Sequence, residues 1–283
     1  MAGIAVFLCN FAKSMEGNKH INIEHPEAWE LLVSIDDRQV DYILFTPSVA
    51  GSLIIGDVAR TGETLQALED AVYDTPELLN EYSRVRVVVR SPHFVLLPQE
   101  TADEDCHALV HAAFPGDTGD AAVCLLPQNG VKVAYLMPHG LQAFMGRTFN
   151  YPAVCHHLVP LCEHFKELNR GAAVSRMFVH LSGGHMDLAI YRDDRLVCAN
   201  TYPYAGARDA AYFGLNAWRT HGFDQLTDEL QLLGDGDLRA QMTPVLREYV
   251  KFVMPAVYPA AAMRLGRNSM QAPLELIQLA LCE

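Results

Sequence analysis

Three β-rich runs follow one another without a break over residues 175–204: "SRMFVHLSGG", "HMDLAIYRDD" and "RLVCANTYPY". The joins are short and turn-forming, Gly183-Gly184 at the first and Asp193-Asp194 at the second, so consecutive strands pair antiparallel. The pattern then changes period. "ARDAAYFGLNAWRTHG" has helical spacing, "ELQLLGDG" reads as a strand, and "DLRAQMTPVLREYVKFV" reads as a second helix. The stretch "VMPAVYP" and a terminal helix "PLELIQLALCE" close the chain. A meander followed by crossover helices excludes all-α and purely antiparallel folds and requires a mixed sheet in an α/β architecture.

The same plan is legible upstream. "VDYILFTPSVAGSLIIGDVA" holds two strands, and "TGETLQALEDAVYD" carries Leu65, Leu68, Ala71 and Val72 at helical spacing. "TPELLNEY" opens with Thr75 as N-cap and Pro76 at the first helical position. "RVRVVVRS" and "HFVLLPQE" are strands, and "TADEDCHALVHAAF" starts with Thr101 and Glu104 in capping-box spacing. Asn129-Gly130 joins "AAVCLLP" to "VKVAYLMP" as a hairpin, "LQAFMGRTF" reads as a third strand, and a long helix is expected from Asn150 to about Leu168. Meander, helix, strand, helix, strand is the order of a ribonuclease-H-like unit. It occurs twice, with halves expected at 39–120 and 121–283. Residues 1–38 have no sustained period and read as an N-terminal extension, within which "HPEAWELLVSI" suits a short helix begun by Pro26.

Charge narrows the function classes. With 34 acidic against 21 basic residues and a net charge of −13, the chain lacks the cationic face that a sequence-independent nucleic-acid binder needs. The seven cysteines are odd in number and include no CxxC pair, which fits free thiols in a reducing cytoplasm. The apolar run "AGIAVFLCNFA" is 11 residues long, too short to span a bilayer, so no direct membrane insertion is expected.

The segments "RVVVRSPHFVLLPQE", "NTYPYAGARDAAYFGLNAW" and "LQLLGDGDLRAQM…LREYV", in that order, resemble an uncharacterised bacterial family described as actin-like ATPases. That family is similar in turn to actin homologues of cell division and pilus assembly. The resemblance covers roughly 39–283. It implies an actin-like ATPase fold, two ribonuclease-H-like halves around an interdomain cleft, ATP with Mg as cofactor, and a protein partner in a membrane-associated assembly.

In such a fold each half offers phosphate a glycine-bearing hairpin, beside an Asp that positions metal or water. The resemblance places Ser182, Gly183 and Gly184 in one hairpin, with His180 or Ser182 where the acid is expected and Asp187 beyond the turn. It matches Gly234-Asp235-Gly236 to the turn that contacts adenosine. In the first half the corresponding turn is taken as Thr46-Pro47-Ser48 with Gly51, which has no acid, and Pro47 lacks a backbone N–H. Without the acids, weak or absent ATPase activity is expected, and no catalytic residue is assigned. The chain then serves as a degenerate scaffold or interaction protein. The alternative is an active ATPase in cell division or pilus biogenesis whose acids come from Asp187 or Asp57.

Each motif also has a plain reading. Gly183-Gly184 suits a tight hairpin turn, and Gly234–Gly236 suits a strand-to-helix turn with Asp235 or Asp237 as N-cap. Arg208 and Asp209 open a helix and face either the groove or the core. Two clusters, Cys106/His107/His111 and Cys155/His156/His157/Cys162/His164, place histidines on helices, but no Glu follows as in HExxH and no third ligand is evident. A helix-borne metal enzyme is the most remote expectation, and no metal ligand is assigned.

Overall fold

In the run Leu31-Leu32-Val33-Ser34-Ile35, alternate side chains are wanted by two different neighbours. The computed structural model describes residues 22–282, and there the run forms strand β1 (Glu30–Ile35). Leu31, Val33 and Ile35 pack into one core and Leu32 into another on the opposite face. The short helix expected here is reduced to a single 3-10 turn at Pro26–Ala28, because a sheet buried on both faces uses every apolar side chain. Cys9 and the apolar run at residues 2–12 lie outside the described residues.

β2 (Gln39–Phe45) and β3 (Ile54–Ala59) complete a meander with β1. After α1 (Leu65–Tyr73), β4 (Arg84–Val89) joins parallel to β1, and β8 (Ala153–His156) joins parallel to β4. The five-stranded order is β3-β2-β1-β4-β8. Between β4 and β8 lies an inserted three-stranded sheet of β5 (Phe94–Pro98), β6 (Asp120–Leu126) and β7 (Val131–Met137), ordered β5-β7-β6. Helix α2 (Asp103–Ala113) covers one face of it through Cys106 and Val110.

The second sheet repeats the scheme. β9 (Arg176–Ser182), β10 (His185–Arg192) and β11 (Arg195–Pro203) form the meander. β12 (Glu229–Gly234) and β13 (Phe252–Pro255) add in parallel, giving β11-β10-β9-β12-β13. Helices α5 (Ala207–Thr220) and α6 (Gly236–Arg247) cover its outer face with Ala210, Trp218, Met242 and Leu246.

Several local expectations are corrected. "LQAFMGRTF" is helix α3 (Leu141–Thr148), because Leu141, Phe144 and Met145 recur at helical spacing and are all buried. The long helix from Asn150 is split into β8 and α4 (Leu158–Asn169). Asn150 and Tyr151 have φ of 53° and 56°, which no right-handed helix start permits. Thr75 stands at the N-cap of a 3-10 helix, Pro76–Leu79, as expected, but its hydroxyl donates to Ala71 O and makes no cap bond, and α2 starts from Ala102 without a side-chain cap. The first sheet draws strands from residue 30 to residue 156, so sheet membership crosses the boundaries expected at 38 and 120.

Two helices tie the sheets together. α4 follows the first sheet but places Phe165 in a stacked contact on Phe178 of β9. α7 (Leu274–Leu281) follows the second sheet but packs Leu276 and Ile277 against Leu32, Ile43 and Val88 of the first. The two helices also pack on each other. Arg86 of β4 donates to Leu279 O and Cys282 O at 2.6 and 3.0 Å, satisfying carbonyls left open where α7 ends.

Candidate functional site

The two sheets have the same strand order, so the β1–β2 turn and the β9–β10 turn are equivalent positions, and they meet. In the second sheet Ser182 pairs with His185, leaving Gly183 and Gly184 as a two-residue turn with φ of 58° and 79°. Two successive positive φ values define the turn that matches strand twist, and glycine adopts them without strain. In the first sheet the turn is Asp36-Asp37-Arg38. Asp36 Oδ1 accepts from the backbone N–H of Arg38 and of Gln39, each at 2.7 Å. A Cβ on Gly183 would lie 3.4 Å from Asp36 Oδ2, and one on Gly184 would lie 2.7 Å from Arg38 Nη1.

The sequence match of the first phosphate turn to Thr46, Pro47, Ser48 and Gly51 is therefore displaced. Those residues form the β2–β3 connection, where Ser52 Oγ donates to Thr46 O and Gly51 N donates to Arg264 O. The equivalent turn does carry an acid, Asp36, which the sequence conceals because β1 falls within the expected N-terminal extension.

Beside the paired turns is a cavity of about 610 Å³. Ser182, Gly183, Gly234, Asp235 and Gly236 line it, and Gly184 does not. The tertiary structure thus brings together five of the residues singled out for nucleotide and leaves the sixth under Arg38. Gly234 has φ of 83°, and a Cβ there would sit 2.0 Å from Leu181 O, so only glycine fits this close crossing of β12 and β9. Asp235 is the N-cap of α6, accepting from Asp237 N and Leu238 N at 2.9 and 3.0 Å. Two of the amides at the start of α6 are thereby taken by the turn's own carboxylate.

The first sheet adds two acids to the cavity wall. Asp41 and Asp57 are directly paired across β2 and β3, and both line the cavity. Among the described residues the Asp41 carboxylate accepts only from Gln39 Nε2, at 2.9 Å to each oxygen. Burial, helped by the charges of Glu275, Asp36 and Asp57 and opposed by the Gln39 bond, pushes the Asp41 carboxyl up to about 6. Arg239 is the cationic lining residue, and its Nε already donates to Gly234 O at 3.0 Å.

Under the cavity lies an ion network that sequence reasoning missed. Asp187, at 0 % exposure, stands in the middle of β10 on the face opposite Met186 and Leu188. Arg90, just past β4, reaches Asp187 Oδ2 at 2.8 Å and Oδ1 at 3.1 Å through Nη1, and Glu275 Oε1 at 3.1 Å through Nη2. Thr201 Oγ1 donates to Asp187 Oδ1 at 2.9 Å, and His157 Nε2 and His180 Nδ1 lie 3.0 and 3.3 Å from its oxygens. Burial alone raises a carboxyl, but Arg90 and His157 outweigh it and hold Asp187 well below the usual range. Burial lowers His157 against the pull of Asp187, so a neutral imidazole donates its Nε2–H. The signal available in the sequence was strand alternation, which puts Asp187 opposite His180 and on one face with Ala189 and Tyr191.

Asp187 contributes no atom to the cavity wall, whereas Asp57 does. Asp209 closes the start of α5 by accepting from Ala205 N at 3.1 Å. His107 and His111 are exposed while Cys106 is buried, and Cys155 and His156 belong to β8 rather than a helix. Among the described residues, no three His, Cys, Asp or Glu side chains converge to hold a metal ion. No described helix is long and apolar enough to cross a membrane.

Among solved structures, the chain is similar to a Bacteroides thetaiotaomicron protein with actin-like ATPase fold and unknown function: 18% identity, TM-score 0.77, 94% of this chain and 100% of that one. It is similar also to a chain of the PilM–PilN type IV pilus biogenesis complex: 12% identity, TM-score 0.51, 91% of this chain and 100% of that one. These likenesses show the actin-like ATPase fold expected from the sequence. No curated protein matches the sequence. Residues 18–253 match the family described as "Protein of unknown function (DUF3822)", and the chain belongs to that family.

Proposed function

We propose that this actin-like protein is a cytoplasmic scaffold whose cleft is locked and does not cycle nucleotide. The observation that carries the reading is the buried bridge from Arg90, beside the first sheet, to Asp187 in the second and Glu275 on α7. Opening the halves would expose or orphan these charges, and an uncompensated buried charge costs several kcal/mol. A cleft that must open for nucleotide exchange is poorly served by such a lock.

Mg-ATP also fits the residues badly. Two of the amides at the start of α6 are occupied by Asp235, and Asp41 and Asp57 present negative charge to any triphosphate. The metal that would offset this charge finds no converging ligand set among the described residues. A protein partner in a membrane-associated assembly is our reading of the likeness to the PilM chain, whose solved structure is a complex with PilN. The six described cysteines are all free, which suits a reducing compartment.

A second reading, an ATP-binding protein, draws support from the five glycine-turn residues that line one cavity. Thermal unfolding with millimolar Mg-ATP separates the two. A ligand at about 100 times its Kd stabilises by about 2.7 kcal/mol. The scaffold reading expects no saturable shift and no phosphate release, and it is abandoned if both appear.

A further inference from the structure

The face of the first sheet that looks into the cavity carries a row of neighbours across β1, β2 and β3: Ser34, Asp41 and Asp57. Ser34 is bonded to Glu275. Like charges placed directly opposite on a sheet repel, and among the described residues neither carboxylate has an ion-pair partner. Among the described residues the Asp41 carboxylate has only the neutral Gln39 amide, and the Asp57 side chain makes no hydrogen bond. Glu275, 2 % exposed and outside the cavity lining, is paired with Arg90 through Oε1, and its charge still raises Asp41. With Asp41, Asp57 and Asp235 set against Arg239, the wall carries an excess of negative charge and selects a ligand of sign opposite to that of a nucleotide.

We infer that the cavity binds an organic cation, an ammonium or guanidinium group on an apolar stem, held between Asp41 and Asp57. A metal ion is a poorer match, since no three ligating side chains converge among the described residues. A cation several atoms long can bridge dispersed carboxylates, while Ile55, Leu274 and Met270 cover its stem. The chemistry is shared by a free polyamine and by a Lys or Arg side chain of a partner protein. The net charge of −13 adds long-range attraction for either. The inference rests on the scaffold reading in one respect, that the cleft is free of nucleotide.

Isothermal titration of the full chain with spermidine, with a blocked pentapeptide carrying one central arginine, and with the same peptide carrying citrulline tests this. Saturable binding of spermidine or the arginine peptide is expected, with no binding of the citrulline peptide. Tighter spermidine binding identifies a free polyamine, and tighter peptide binding identifies a partner side chain. Asp41→Asn and Asp57→Asn are each expected to weaken binding about tenfold, the loss of one charge-assisted contact. Asp57 is exposed, so its variant keeps the test intact if Asp41→Asn disturbs folding. The inference is overturned if neither cation binds at millimolar concentration, if citrulline binds as well as arginine, or if both variants bind normally. Mg-ATP is titrated in parallel. Its binding would remove the scaffold reading, whereas silence from every probe removes the cation site alone.

Discussion

Arg90 and Asp187 lie 97 positions apart in the chain, and their side chains meet at 2.8 Å with 4 % and 0 % of their surface exposed. One belongs to the first sheet's edge of the cleft and the other to the heart of the second sheet. The contact is therefore a joint between the halves, and the predictions begin there.

Replacing Arg90 by leucine strands two buried carboxylates, Asp187 and Glu275. A loss of about 3–5 kcal/mol in urea unfolding is expected, the usual cost of removing one partner from a buried pair. Combining Arg90→Leu with Asp187→Asn and Glu275→Gln should restore part of that stability. If the triple variant is as weak as the single one, charge is not what Arg90 supplies.

His164 should make stability fall with acid. It is buried, lies 3.0 Å from Val257 O through Nε2, and burial lowers its pKa from 6.5 to about 4. The unfolded chain takes up a proton near pH 6.5 and the native chain does not until about pH 4, so the unfolded state binds more protons in between. The contribution is present above about pH 6.5 and is lost progressively toward pH 4, on the order of 3 kcal/mol in all. His164→Phe should flatten that part of the pH dependence measured by denaturant unfolding at pH 7.5, 6 and 5.

Asp41 acts in the other direction. Its carboxyl is raised to about 6 in the native state, so the native chain holds a proton that the unfolded chain has released. Its effect on stability is favourable at low pH and is lost as pH rises from about 4 to about 6. Asp41→Asn should stabilise the protein at pH 8 by roughly 1 kcal/mol, allowing for screening of a half-buried group, and by nothing at pH 4. A pH-independent gain would assign the effect to packing.

Gly234 and Gly171 both have positive φ, 83° and 72°, but only Gly234 has backbone where a Cβ would go. Gly171→Ala should cost about 1 kcal/mol, the conformational penalty alone. Gly234→Ala should cost about 3 kcal/mol or more, because β12 must move away from Leu181. Equal costs would show that the crossing yields easily.

The second half was legible because its signals are local. Gly183-Gly184 and Asp193-Asp194 mark their own turns, and Ala207–Thr220 shows its apolar stripe without help from elsewhere. The first half was harder. "WELLVSI" suits a helix by composition and becomes β1 because helices cover both faces of its sheet. The Leu141–Thr148 segment looked extended beside two true strands, although its Leu141, Phe144 and Met145 spacing was helical. Misplacing β1 moved the first turn to Thr46–Gly51 and hid Asp36, so one shifted element misdirected a whole part of the site.

What the sequence determined by itself was the repeated order of strands and helices, the glycines at the turns and the excess of acid. These follow from side-chain periodicity and backbone freedom within a few residues. Only the tertiary structure decided that Arg90, His157, Asp187, Thr201 and Glu275 converge beneath the cleft, and that Asp41 and Asp57 face one cavity. The contacts of the network join segments far apart in the chain. The network's charges are tolerated only because packing α4 and α7 between the sheets brings opposite partners within hydrogen-bond reach and excludes water from them.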